Sequence, residues 1–276
     1  MNMRYPDPHK MKASPGGSAP HRRVSFVDVH CHCLPGLDDG PRSCRETVAL
    51  CRSLTRDGIG AVVATPHQLG RFGRSAGPDV IRHAVEQVNG ALAQEGIDLC
   101  IAPGAEVRLD ERVSTLLAED AILTLADRHR HLLLELPEDA FIDIEPLIVE
   151  LAGLDVDLIL AHPERNAPLM AHGQALWRWL NYGVTLQLTA GSLLGYLGRA
   201  AAQNAWWLLT KGWAAVIATD AHDPGPAGPC MTAAFAMIQS RLGVSVANLV
   251  CSGNPARVLS MERIRSPLLQ QRQEVR

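Results

Sequence analysis

The chain has 276 residues, 47% of them hydrophobic and 20% charged, with a formal net charge of −3. It can bury a core as one large domain or two small ones, and with no basic stripe along it the balance argues against a nucleic-acid binder. Seven cysteines form no regular framework and follow no secretion signal, so reduced thiols in a cytoplasmic protein are expected, and no apolar run reaches the ~18–20 residues of a bilayer span.

The opening MNMRYPDPHKMKASPGGSAPHRR is basic and rich in Pro, Gly and Ser, and is expected to be a disordered tail over 1–23. VSFVDVH (24–30) reads as a strand and SCRETVALCRSLTRDG (43–58) as a helix. Ser43 with Glu46 three residues on gives the capping-box signal, and Gly58 the stop. GAVVATPH (60–67) is the next strand, and PDVIRHAVEQVNGALAQEG (78–96) an amphipathic helix opened by Pro78 and ended by Gly96. DLCIAPGAEV (98–107), HLLLELP (131–137), DLILAHPE (157–164), VTLQLTA (184–190) and AAVIATDAH (214–222) read as strands. Helices are expected over 141–153, 168–182, 196–211 and 230–242, with a short last one near 254–260 capped by Asn254 and opened by Pro255. A loosely attached tail is expected over 263–276, leaving 24–262 as a single domain.

Nearly continuous apolar strands alternating with helices imply a parallel sheet covered on both faces. Seven such strands fit a closed or nearly closed α/β barrel. A doubly wound open sheet stays as the alternative, because periodicity does not show closure.

The chemistry collects where the strands end. The first ends in His30 and His32, the second in His67, the third in Glu106 and the fourth in Glu135. The fifth ends in His162-Pro-Glu-Arg165 and the seventh in Asp220-Ala-His222. Barrel enzymes build their active sites at the C-terminal ends of their strands. A lone terminal histidine is ordinarily a solvated side chain; six of seven ends with the same chemistry are not explained that way. Alternate strand residues face the same side, so His30 and His32 can reach one ion together, and Asp220 and His222 have the same spacing. Five imidazoles with several carboxylates suit Mn, Fe, Zn or Mg rather than a thiolate site. The candidates exceed the shell of one ion, so two or three clustered ions are expected, the arrangement that clamps both oxygens of a phosphoryl displacement.

DVHCHCLPGLDDG, ATPH, PGAEV, LLELP, AHPERN, ATDAH and NPARVL follow one another over residues 26–260. In this the chain resembles the PHP (polymerase and histidinol phosphatase) family. Within it, the likeness is to the bacterial metal-dependent protein-tyrosine phosphatases encoded with capsule and exopolysaccharide genes; TAGSLLG at 189–195 adds to it. The resemblance implies a distorted seven-stranded barrel and a three-metal arrangement, with manganese the first choice of ion. By it His30, His32 and Asp220 would hold one ion, and Glu106 would bridge it to a second held by Glu135 and His162. A third would sit between His67, His222 and an acid of LDDG, where Asp39 is favoured over Asp38. A metal-bridging hydroxide would attack phosphorus in line, without a phosphoenzyme. Asp28 could orient a ligand from behind. The Arg165 fork suits a pair of phosphate oxygens, or alternatively a salt bridge to a nearby acid, and Arg71 could give a second anion contact. The implied partner is a bacterial polysaccharide-pathway tyrosine kinase. One departure stands out: the family commonly carries an Arg followed by Pro after Asp-x-His, and here 222–229 read HDPGPAGP.

Three other readings compete. Cys251 and Arg257 have the spacing of cysteine-based tyrosine phosphatases, but the surrounding sequence reads as a helix start. Cys31 and Cys33 are too close for the usual zinc clip and have no second pair. The histidines and acids could also serve a non-catalytic, metal-binding regulator, or a small-metabolite phosphatase of the histidinol-phosphate type.

Overall fold

β1 (Phe26–Cys31) is buried along its whole length, as expected of a strand covered on both faces. The computed structural model describes residues 26–70, 76–225 and 228–265; the expected tail over 1–23, the stretch 266–276 and Arg71 lie outside them. α1 (Cys44–Arg56) starts where the capping signal falls, with Ser43 Oγ accepting the Glu46 N–H at 3.3 Å. The Glu46 carboxylate reaches back to the Arg42 N–H at 2.7 Å.

The next expected strand is divided. β2 (Ile59–Ala64) and β3 (His67–Gln68) are separated by Thr65 and Pro66, and proline has no N–H to give to a ladder. After α2 (Pro78–Gln94) the third expected strand is divided too, into β4 (Cys100–Pro103) and β5 (Glu106–Arg108). The break falls at Gly104, where an added Cβ would lie 2.6 Å from Val63 Cγ1. α3 (Val113–Ala118), which sequence periodicity did not mark, leads to β6 (His131–Glu135), α4 (Glu145–Gly153) and β7 (Asp157–Ala161). The helix expected over 168–182 is two, α5 (Ala167–Met170) and α6 (Gly173–Asn181). β8 (Thr185–Thr189), α7 (Ala190–Leu193), α8 (Arg199–Thr210), β9 (Ala214–Ala218) and α9 (Met231–Leu242) follow. α10 (Val244–Asn248) and α11 (Asn254–Leu259) close the order. Asn254 does not cap α11 as expected, since it is already helical; its side chain bonds the Ala215 carbonyl and both backbone groups of Arg265.

Seven expected strands are therefore nine among the described residues, all paired parallel in two sheets, β1-β2-β4 and β3-β5-β6-β7-β8-β9. No continuous ladder closes a barrel among them. The sheets meet where β1 runs beside the end of β9: Cys31 bridges Ala221, the Asp220 N–H donates to the His30 carbonyl at 2.8 Å, and the His32 N–H to the Ala221 carbonyl at 2.9 Å. Alternation then sorts the side chains. Val63, Ala102, Leu133, Ile159 and Val216 pack together on one face, and their neighbours Val62, Ile101, Leu132, Leu158 and Ile217 pack against the helices. Two to four residues further along from Val63, Ala102, Leu133 and Val216 come His67, Glu106, Glu135 and Asp220. Among the described residues no helix is long and apolar enough to cross a membrane.

At the opposite end of β6, the His131 side chain is fully buried, 3.9 Å from Asp157 Oδ2. Burial pushes its pKa down to about 4; Asp157 opposes this and Arg130 adds to it. The unfolded histidine takes its proton near 6.5, the native one only near 4, so stability is whole above pH 6.5 and falls between those values. The loss by pH 4 is about 3 kcal/mol. In thermal unfolding from pH 7 to 4, His131→Leu should flatten the acid limb by about that amount. An equally steep limb in the variant would overturn the assignment.

Candidate metal centre

His30 in β1 and His32 just past its end enter the centre from one side, both fully buried, with their Nε2 atoms 3.2 Å apart. Each ring is fixed from behind. Gln187 Oε1 lies 2.9 Å from His30 Nδ1, and Asp38 Oδ2 lies 2.7 Å from His32 Nδ1. Nδ1 of each ring meets an oxygen behind it, so Nε2 is the ring atom turned toward the centre. Gly40 makes the Asp38 position possible: a Cβ there would collide with the His32 carbonyl, and the Gly40 N–H donates to Asp38 Oδ1 at 3.0 Å.

Glu106, at the start of β5, is the hub. Its Oε2 lies 3.4 Å from Nε2 of both His30 and His32 and 3.1 Å from His67 Nδ1, while Oε1 accepts from His162 Nε2 at 2.8 Å. Asp220 Oδ1 is 3.2 Å from His30 Nε2 and 3.4 Å from His32 Nε2. Burial opposes ionisation of both acids, but the surrounding imidazoles outweigh it and hold each carboxyl well below the usual range. Reciprocally, burial opposes protonation of His30, yet Glu106 and Asp220 carry it up to about 9. His162 and Asp220 reach the centre from left-handed backbone, φ 32° and 54°, a conformation uncommon for residues with a side chain.

On the third side Asp39 Oδ1 lies 3.2 Å from His222 Nε2 and 3.6 Å from His67 Nε2. The His222 ring stacks on His32 with centroids 4.1 Å apart. Burial, with His32 alongside, lowers the His222 pKa. The favoured acid of the LDDG turn thus faces the histidines, and Asp38 braces His32. Glu135, one strand over, stands with His67 and Glu106 and bonds Arg108 Nη1 at 2.9 Å.

Donor atoms within 4.8 Å of one another form four groups here: His32-Asp39-His67-His222, His30-His32-Asp220, His30-Glu106-His162 and His67-Glu106-Glu135. They link in a ring, each sharing one residue with the next. All nine sequence-derived ligand candidates belong to it. A set of imidazole and carboxylate donors converging in a buried pocket fits divalent ions. A further group, Asp120-Asp127-His129, is at the surface, where Arg82 already bonds Asp120 and Asp127.

Arg165 Nη1 donates to Asp220 Oδ2, the salt-bridge alternative of the sequence reading, at the edge of this ring. Asp28 does not orient a histidine ring. It accepts from the Thr219 N–H at 2.9 Å, from the Thr219 hydroxyl and from the His30 N–H at 3.4 Å, tying β1 to the end of β9. Burial pushes its pKa up to about 6, against the lowering effect of Thr219. Gln187 was not marked as a site residue. Its signal was a lone amide inside the apolar run VTLQLTA, on the one strand that delivers no His, Asp or Glu. Cys251 is fully buried, and burial pushes its thiol well up, which is unlike an activated nucleophile.

Residues 26–260 match the profile of the family described as capsular polysaccharide synthesis, CpsB/CapC. The tyrosine-protein phosphatase YwqE of Bacillus subtilis is 32% identical over 72% of this chain and 78% of its own. The tyrosine-protein phosphatase CpsB of Streptococcus pneumoniae is 25% identical over 85% of this chain and 98% of its own. A crystal structure from work on these two proteins, described as unique metal-dependent tyrosine phosphatases, superposes with a TM-score of 0.83 at 28% identity, covering 87% of this chain and 96% of that one. The lactonase Lmo2620 of Listeria monocytogenes shares the fold alone, with a TM-score of 0.56 at 12% identity, covering 87% of this chain and 96% of that one.

Proposed function

Because the chain belongs to the CpsB/CapC family of capsular polysaccharide synthesis, we propose that it is a metal-dependent phosphoric monoester hydrolase acting on phosphotyrosine in proteins. The observation that carries this is the ring of four donor groups with an arginine at its edge. His30, His32 and Asp220 would hold one divalent ion and Asp39, His67 and His222 another, with Glu106 between them, beside His162 in one donor group and beside Glu135 in another, as the ligand set of a second ion between the two. Manganese is the first choice, with iron, zinc or magnesium as alternatives. Such ions supply, when bound, an activated water and positive charge for the phosphoryl oxygens. The protein's own part is orientation. Gln187 and Asp38 keep the His30 and His32 rings from turning, and the Arg165 fork binds phosphate oxygens where charge spreads. We read the two sheets as one distorted seven-stranded barrel, a reading supported by the contact of β1 with the end of β9.

The substrate would be a tyrosine kinase of the same polysaccharide pathway, met in the cytoplasm. The test compares metal-loaded protein on phosphotyrosyl and phosphoseryl peptides and on histidinol phosphate. Preference for the tyrosyl peptide by about tenfold or more is expected. Faster turnover of the metabolite would move the reading to a small-molecule phosphatase, and a folded, metal-loaded protein inert on every phosphoester would end it.

A further inference from the structure

We propose that Arg108 is a second arginine contact for the substrate phosphate, facing Arg165 across the centre; this rests on the phosphatase reading above. Arg108 lies two residues beyond Glu106 on β5, so alternation puts both on one strand face, with Arg108 nearer the open end. Its register partner on β6 is Glu135, and its Nη1 sits 2.9 Å from Glu135 Oε2. The Arg108 side chain is 28% exposed and that of Glu135 12%, so the guanidinium stands at the solvent edge of the His67-Glu106-Glu135 group. Its stem is held from the other side by Gly70. There the backbone has φ +79°, and an added Cβ would lie 2.9 Å from Arg108 Cγ.

The two arginines are arranged alike. Arg165, just past β7, bonds Asp220; Arg108, at the end of β5, bonds Glu135. Each is anchored on a carboxylate at the edge of the donor ring, on different groups of it. The segment after β9 supplies no such cation, since no Lys or Arg occurs between Asp220 and Arg241. A phosphate monoester brings three non-bridging oxygens. The planar Arg108 fork can engage a pair of them from the side that Arg165 does not reach.

The experiment uses metal-loaded parent, Arg108→Gln and Arg108→Lys. Bound metal per chain is measured first, then inorganic phosphate affinity by calorimetry, then kcat and KM on p-nitrophenyl phosphate. With metal retained, Arg108→Gln should weaken phosphate binding and raise KM by roughly tenfold or more, and Lys should restore part of the loss. Unchanged phosphate affinity with metal retained would overturn the proposal. So would loss of metal with unchanged phosphate affinity in the reloaded protein, which would reduce Arg108 to a brace for Glu135. If the variants do not fold, a crystal of the parent with metal and inorganic phosphate decides. An Arg108 guanidinium bonded to phosphate supports the contact, and phosphate met by Arg165 without Arg108 overturns it. A parent that binds phosphate through Arg108 yet hydrolyses no phosphoester would sink the phosphatase reading and leave the contact standing.

Discussion

Glu106→Gln should lower kcat/KM on p-nitrophenyl phosphate by about a thousandfold or more, with loss of at least one bound ion per chain. Its carboxylate joins both halves of the centre: His30, His32 and His67 meet one oxygen and His162 the other. Glutamine keeps the shape and removes the negative charge. One of its two ends becomes an NH₂ group, which donates where an ion or a histidine N–H requires an acceptor. The surrounding histidines hold the carboxyl well below its usual range against burial, a negative charge that glutamine does not supply. The check is elemental analysis beside steady-state kinetics. A variant with full metal and full rate would mean that Glu106 only balances the charge of the histidines. Chelation of the parent, followed by metal return, should reproduce the loss and its reversal.

Arg165→Ala should cost about a hundredfold or more in kcat/KM while leaving the metal count unchanged. Arg165 sits outside the donor groups and reaches them only through Asp220 Oδ2. Its removal leaves every proposed ligand in place but takes away a fork aimed at the same region. Lysine keeps the charge without the paired geometry, so Arg165→Lys should fall between the two. Kinetics on metal-saturated protein, with the ion content measured alongside, separate the cases. Loss of ions in Arg165→Ala would instead make the arginine a brace for Asp220.

Much of this was legible because strands have a period of two. Alternation pairs His30 with His32 and Asp220 with His222, and a shared place at the strand ends adds His67, Glu106, Glu135 and His162; their division among ions came from the family resemblance. What escaped has a different origin. Pro66 and Gly104 are visible as punctuation, but the sequence does not say that each divides a strand and passes its second half to another sheet. Gln187 meets His30 across 157 residues, a contact that no local pattern encodes. The choice between Asp38 and Asp39 depended on how closely Gly40 packs under the His32 carbonyl. His162 reaches Glu106 from a left-handed backbone, and a strand-periodicity argument has no place for that turn.

The ring of donor groups sets a rule for occupancy. His30, His32, His67 and Glu106 each belong to two groups, whereas Asp39, Glu135, His162, Asp220 and His222 each belong to one. Ions proposed for neighbouring groups would therefore share a residue, and an ion taken up by one would change what the next can offer. Of the four shared residues only Glu106 has a carboxylate, whose two oxygens can serve two ions at once. Under the proposed metal reading, loading would be interdependent rather than a set of separate equilibria, and substitution would have two classes of outcome: a change at a private residue would weaken one position, while a change at a shared residue would disturb two.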